Sequence, residues 1–295
     1  MDEFSIFQYA GGLAIAVFVG FLTGIFGVGG GFLMSPSLII IGIHAPIAVG
    51  TDVATIMVNS AFGIFKRRRS GTVDVKLALT LSIASIIGVY LGTLIMESLK
   101  HLKPLVIMGK EHIAVQYIIF CLFFLILIGL TIFLFIDNRL NNKKNQKHIG
   151  LFSKVPFGPY LHFSSLDGAR VSAIPLFAMG LAIGILTGLL GIGGGVLLLP
   201  ALIYLVGQLA SRAAGTSLLL VLISSSLAMF IHTKNGNLNF YLWGIMIVGG
   251  LVGTNFGTIA GLKLKDAKIR SYFPYVVLTA VIAVGIKLYK ITFCP

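Results

Sequence analysis

The sequence predicts an all-α integral membrane protein built of two homologous halves, and three observations carry that prediction. The 295 residues are 57% hydrophobic and only 11% charged, with a mean hydropathy of +1.01, against about 45–50% and about 25% in soluble domains. Uncharged runs are long, with no Asp, Glu, Lys or Arg between Glu3 and Asp52 or between Arg170 and Arg212. A glycine-rich segment near the start recurs in the second half. So little charge cannot cover a soluble globule of this size, which excludes a soluble enzyme. Cys121, inside an apolar run, and Cys294 are the only cysteines, too few for a secreted disulfide scaffold. The hydrophobicity excludes disorder.

The elements follow from the apolar runs. A bilayer-spanning helix needs about 20 mostly apolar residues, and continuous runs of this length do not read as alternating barrel strands. Helices are expected over 5–27, 31–43, 46–65, 75–97 and 113–136 in the first half. In the second they are expected over 172–191, 195–206, 210–231, 238–262 and 271–291. The second and seventh are too short for an ordinary crossing, and each follows a glycine break. The chain begins Met1, Asp2, Glu3 without a positive n-region, so the first segment is expected to remain a span rather than a cleaved leader.

The repeat organises these elements. Residues 20–36 (GFLTGIFGVGGGFLMSP) reappear as 184–200 (GILTGLLGIGGGVLLLP), identical at 10 of 17 positions at an offset of 164. The match continues at an offset of 165, pairing Gly50 and Thr51 with Gly215 and Thr216, and Gly88, Gly92 and Thr93 with Gly253, Gly257 and Thr258. The expected domains are therefore a first membrane repeat over 1–137, a basic polar cytoplasmic linker over 138–170, and a second membrane repeat over 171–295.

Charge tests the layout. The net charge of +13 is assigned to topology rather than to nucleic acid, because Lys and Arg fall in the loops, where positive-inside bias places them. With five passes per half, sixteen of the 22 basic residues lie on one side, including Lys66, Arg67, Arg68, Arg69, Lys76 and the linker. If the short helices do not cross, the separation weakens to fourteen against eight. An odd number of passes inverts the second half relative to the first. The run Lys66 to Arg69 itself is assigned to anchoring on anionic lipid.

The glycine runs at Gly27, Gly29, Gly30, Gly31 and at Gly191, Gly193, Gly194, Gly195 are not phosphate loops, since neither continues into Gly-Lys-Ser/Thr. Within an apolar segment they break a helix. Broken helices are tolerated at membrane depth only where protein or a polar cavity covers the backbone. The helix that resumes then aims its positive N-terminal end at that cavity. Two such ends from two repeats form an anion site without a buried cation. The pairs Gly20 and Gly24, Gly88 and Gly92, and the stripe Gly249, Gly253, Gly257 are assigned to close helix packing.

The doubled pattern of Gly-x-x-Gly-x-Gly-Gly-Gly, four residues and Pro, then Ala-x-Gly-Thr, resembles the TauE/SafE sulfite exporter family, also called the toluene-sulfonate uptake permease family. The resemblance spans nearly all of both halves. It implies a multi-pass secondary transporter moving sulfite, organosulfonates or related sulfur-containing anions. Where family copies often carry a small hydroxyl residue after the Thr, this chain has Asp52.

The remaining polar residues complete the candidate site. Thr51 and Thr216 are candidate donors to a bound anion; Asn59, Ser217, Ser224 and Ser225 are secondary candidates, and hydrogen bonding to local backbone is the competing role for such groups. Asp52 is the candidate proton carrier, because a carboxyl inside a span is costly. Asp74 and its repeat partner Asn239 read as helix caps. The six His show no metal spacing, and neither metal nor cofactor is expected. The expected partners are a small anionic substrate, protons and the lipid bilayer of the cell (inner) membrane, and no nucleic acid. A non-transporting subunit or receptor would carry a large soluble domain. An intramembrane hydrolase would need a second embedded catalytic group.

Overall fold

The computed structural model describes residues 4–107, 110–141, 150–156, 158–166 and 170–293. Met1 to Glu3 and Cys294, on which two sequence expectations fall, lie outside these. The described chain forms helices α1 (Ile6–Phe26), α2 (Gly31–Ile40), α3 (Ala45–Arg67), α4 (Val75–Lys100), α5 (Ala114–Asn141), α6 (Ala173–Leu190), α7 (Gly195–Pro200), α8 (Ala210–Lys234), α9 (Phe240–Lys263) and α10 (Asp266–Phe293). Two small antiparallel hairpins, β1 (Leu105–Ile107) with β2 (Lys110–His112) and β3 (Tyr160–His162) with β4 (Arg170–Ser172), accompany them.

Among the described residues, 8 helices are long and apolar enough to cross a membrane. The two that are not, α2 and α7 with its π-helical continuation Ala201–Val206, are the ones that follow the glycine breaks. Ten residues of α2 rise about 15 Å, half of a hydrocarbon core of about 30 Å. It ends at Ile40, three residues before the sequence-based boundary, because Gly42 takes φ 95° and the Ile43 amide bonds the Leu38 carbonyl at 3.1 Å. That six-to-one bond closes the helix on an αL glycine.

Capping defines other starts. Ser5 and Gln8 form a reciprocal capping box on α1. The Asp74 carboxylate accepts from the Leu77 amide at 3.0 Å to start α4, and Asn239 accepts from Leu242 at 2.9 Å to start α9, as their polar side chains suggested.

The assigned packing glycines draw the helices together in pairs. Cβ atoms at Gly20 and Gly24 of α1 would run into Gly250, Thr254 and Gly257 of α9. In return, Gly253 and Gly257 lie against the backbone of Val17 and Phe21. Gly88 and Gly92 of α4 lie in the same way on Leu181, Ile185 and Leu189 of α6. Each of these close pairs takes one helix from each half.

Element ends sort onto two faces. On one, Thr216 receives the Asp74 amide at 3.1 Å, Ser211 donates to Asp266 at 2.6 Å, and Arg270 meets Asp137 at 3.2 Å. The segment before α6 also packs there: the Ser165 amide donates to Asp74 at 3.1 Å and Gln208 Nε2 to Ser165 Oγ at 2.7 Å. The described part of the linker is thus partly folded and packed on this face. On the other face Thr51 receives the Asn239 amide at 3.3 Å, and Lys287 reaches the Ile40 carbonyl at 3.4 Å.

Candidate functional site at the paired glycine breaks

The helix α1 stops because Gly27 turns left-handed at φ 69°, its amide closing on the Thr23 carbonyl at 2.8 Å. Gly29 and Gly30 follow at φ 71° and 85°, and the chain reverses. The resumed helix α2 runs back along α1: Gly30 sits against Val19 and Thr23, while Gly42 reaches Gln8 near the start of α1. The second half repeats this with Gly191, Gly193 and Gly194 at φ 70°, 65° and 71°, and Gly194 sits on Ile183 and Thr187. An L side chain in this region costs about 1–2 kcal/mol per residue, so six glycines here are a conformational requirement.

The two breaks meet. A Cβ at Gly31 would collide with the Gly191 carbonyl, and one at Gly195 with the Val28 carbonyl. The first amides of α2 to find a backbone carbonyl are Leu33 and Met34, on Gly30 at 3.0 and 3.2 Å. In α7 they are Leu197 and Leu198, on Gly194 at 3.2 and 2.9 Å. The preceding N–H groups, which no helix satisfies internally, form the positive tips of both helices. Sequence reasoning placed an open polar chamber here. Instead Ile56 of α3 and Val221 of α8, both fully buried, lie over Gly29 and Gly193, so the junction is closed by aliphatic side chains. Nothing in the sequence marked these two residues, because an Ile or Val inside an apolar helix carries no signal of its own.

The residue after each Gly-Thr pair is directed to the break of the opposite half, Ser217 directly and Asp52 through Ser35. Ser217 of α8 donates to the Gly27 carbonyl at 2.7 Å. Asp52 of α3 accepts from the Ser35 hydroxyl, and Ser35 lies beside Gly191. Asp52 is fully buried, and its Oδ1 finds no partner among the described residues. Ser35 was not singled out from sequence, since 17 residues separate it from Asp52.

The other candidates are placed elsewhere. The Thr51 and Thr216 hydroxyl oxygens accept from the Asn239 and Asp74 amides at the starts of α9 and α4, tying the halves together on opposite faces. Ser224 and Ser225 donate to the Val221 carbonyl of their own helix at 3.2 and 2.5 Å, the competing role named for them. Asn59 is buried against Gly250 of α9 rather than against the glycines, and neither amide atom has a partner among the described residues.

Arg67 corrects the reading of the basic run. Lys66 and Arg68 turn outward over the rings of Phe62 and Phe65, but Arg67 is 1% exposed. Its guanidinium donates to the Gly24 carbonyl at 2.8 Å and to that of Ile25 at 3.2 Å, the last turn before the first break. Its repeat partner His232 does the same in the second half, its Nε2 lying 3.0 Å from the Gly188 carbonyl. The expected site lacked a buried cation; the structure puts one at its edge.

A helical bundle with two half-length helices folded back to meet at mid-depth is the architecture of a polytopic membrane transporter. The chain belongs to the sulfite exporter TauE/SafE family, whose model matches residues 12–288. It is 26% identical over 276 residues to a probable membrane transporter protein, YjnA, of Bacillus subtilis strain 168, covering 94% of this chain and 98% of that one. It is 24% identical over 265 residues to a second such protein of that organism, YunE, covering 87% and 90%. A probable membrane transporter protein of Xylella fastidiosa strain Temecula1 is 24% identical over 252 residues, covering 85% and 84%. No solved structure matches. The protein is a multi-pass membrane transporter.

Proposed function

We propose that this transporter carries a small anion, sulfite, an organosulfonate or a related sulfur-containing anion, across the cell membrane by alternating access. The observation that carries the reading is the meeting of Gly31 with Gly191 and of Gly195 with Val28. It sets two positive helix tips, in opposed halves, around one point. Backbone N–H groups at a helix start receive anions without a full charge; Gly29, Gly30, Gly31, Gly193, Gly194 and Gly195 supply them, while Gly27 and Gly191, whose amides close the preceding helices on Thr23 and Thr187, set the turns that present them. Parting of Ile56 from Val221 would admit the anion.

The ties at the two faces suit alternation. The bond of Thr216 to the Asp74 amide closes one side, and that of Thr51 to the Asn239 amide closes the other. Either can break while the other holds, so the halves rock about the glycine junction. Asp52, buried beside Ser35 at the edge of the junction, is the proton carrier in this reading. Its charge would repel the cargo unless a proton accompanies it.

The test is uptake of sulfite, thiosulfate, taurine and acetate into proteoliposomes, with and without a pH gradient, for wild type and Asp52→Asn. Wild type is expected to take up a sulfur oxyanion or sulfonate in preference to acetate and to respond to the gradient, and the variant to lose that response. A wild type that moves none of the four overturns the anion reading. An identical gradient response in both proteins removes Asp52 from coupling.

A further inference from the structure

Arg67 stands out on energetic grounds. A guanidinium is always charged, and holding one away from water costs several kcal/mol unless it is paired and fully hydrogen-bonded. Here it is 1% exposed. Among the described residues it meets carbonyl oxygens only, those of Gly24 and Ile25, and its Nε has no partner. Carbonyl dipoles at the end of α1 favour a cation but do not neutralise it. A full negative charge is missing from this site.

The position of that missing charge is informative. Arg67 bonds the turn of α1 that leads directly into Gly27, so it sits at the flank of the proposed anion site. Residues 52, 56, 59, 63 and 67 share one face of α3 by helical spacing. That face carries Asp52, Ile56 over the glycines, Asn59, Gly63 and Arg67. Asn59 lies on Gly250 of α9 and Arg67 on Gly261 of the same helix, three turns further along one seam. Both Asn59 amide atoms and Arg67 Nε are buried without partners. The corresponding face of α8 carries Ser217, Val221, Ser224, Ala228 and His232, where Ser224 is already bonded to its own backbone. Hydrogen-bonding capacity left open is therefore concentrated on α3.

We infer that Arg67 is a substrate-binding residue: its guanidinium pairs with the transported anion on the side of the junction where α3 ends, and the Asn59 amide receives the anion next along the α3–α9 seam. The inference rests on the anion reading above and adds to it a charged receptor within the membrane.

A merely structural Arg67 would cap α1, and Gln does that as a neutral donor to the same carbonyls. Charge and capping are therefore separated by comparing Arg67→Lys with Arg67→Gln. Initial rates of sulfite and taurine uptake into proteoliposomes give KM and kcat. Thermal unfolding of the detergent-solubilised proteins, with and without sulfite, reports folding and binding independently of transport. Arg67→Gln is expected to melt like wild type without ligand, to lose the shift that sulfite produces, and to show a KM raised at least tenfold. Arg67→Lys is expected to keep the shift and a KM within threefold. Asn59→Ala is expected to raise KM less than Arg67→Gln while leaving kcat within threefold. A wild-type shift and wild-type KM in Arg67→Gln overturn the inference while the anion reading stands. If Arg67→Gln fails to fold, loss of the sulfite shift in a folded Arg67→Lys likewise overturns it. A wild type that neither binds nor moves either anion overturns both.

Discussion

At the residue scale the glycine junction makes the sharpest demand on the sequence. Gly31 and Gly195 have ordinary backbone angles but no room, because each presses on a carbonyl of the opposite half. Overpacking a fitted interior costs about 1–3 kcal/mol, and here the obstacle is backbone that cannot swing aside. Gly31→Ala and Gly195→Ala are therefore expected to cut sulfite uptake more than tenfold and to lower the melting temperature by several degrees. Uptake of at least half the wild-type rate in both would show that the two breaks need not meet. The glycines were legible because three in a row inside an apolar run have few other uses, and Asp74 and Asn239 because a polar residue before such a run caps a helix. Arg67 was not legible. Four adjacent basic residues read as one lipid-anchoring cluster, and only the packing of α1 and α9 shows that one of them points inward. Thr51 and Thr216 were read as anion donors; the fold also has their hydroxyl oxygens accept from the starts of the neighbouring half's helices, a second use that the Gly-Thr pattern does not announce.

At the scale of elements, small residues set how closely helices approach, and lipid supplies no hydrophobic force to bring them together. Gly253 of α9 faces the backbone of Val17 and Phe21, whereas a Cβ at Gly244, on the same helix, would meet nothing within 4 Å. Gly253→Leu is expected to force α1 away from α9, with a melting temperature lower by more than about 5 °C and reduced yield of monodisperse protein. Gly244→Leu should stay within about 2 °C, since exposed changes away from packing features cost little. Equal melting of the two would remove close glycine packing as the reason for the stripe. These pairings were foreseen as packing ridges, but which helix lay on which was not: spacing shows that a face is small, not what covers it. The boundary of α2 moved for a local reason, the αL turn at Gly42, which a run of Ile residues on both sides conceals.

At the scale of the whole molecule, the inverted arrangement proposed for the halves predicts which loops lie on which side. Arg69, past the end of α3, and His101, past the end of α4, are both exposed and belong to opposite faces. In a background with Cys121 and Cys294 replaced by Ala, a membrane-impermeant maleimide is expected to label His101→Cys in intact cells. Arg69→Cys should react only in inverted vesicles, as positive-inside bias requires. Labelling of both from one side would contradict the alternating passes, and the reverse pattern would flip the orientation. The alternation of passes is argued from charge, because the linker and the α3–α4 turn hold so much of it. Substrate choice was not, since the groups nearest the junction are backbone amides, which no side-chain pattern advertises.

The closed junction has a consequence for the cell that houses it. With Ile56 and Val221 lying over both breaks, aliphatic side chains cover the junction at rest, and such a lining disfavours the passage of protons and salts. A membrane that stores energy as a voltage and a proton difference can therefore carry many resting copies of such a protein without draining the store. In the alternating-access cycle proposed above, each passage of cargo breaches the seal only on one side at a time.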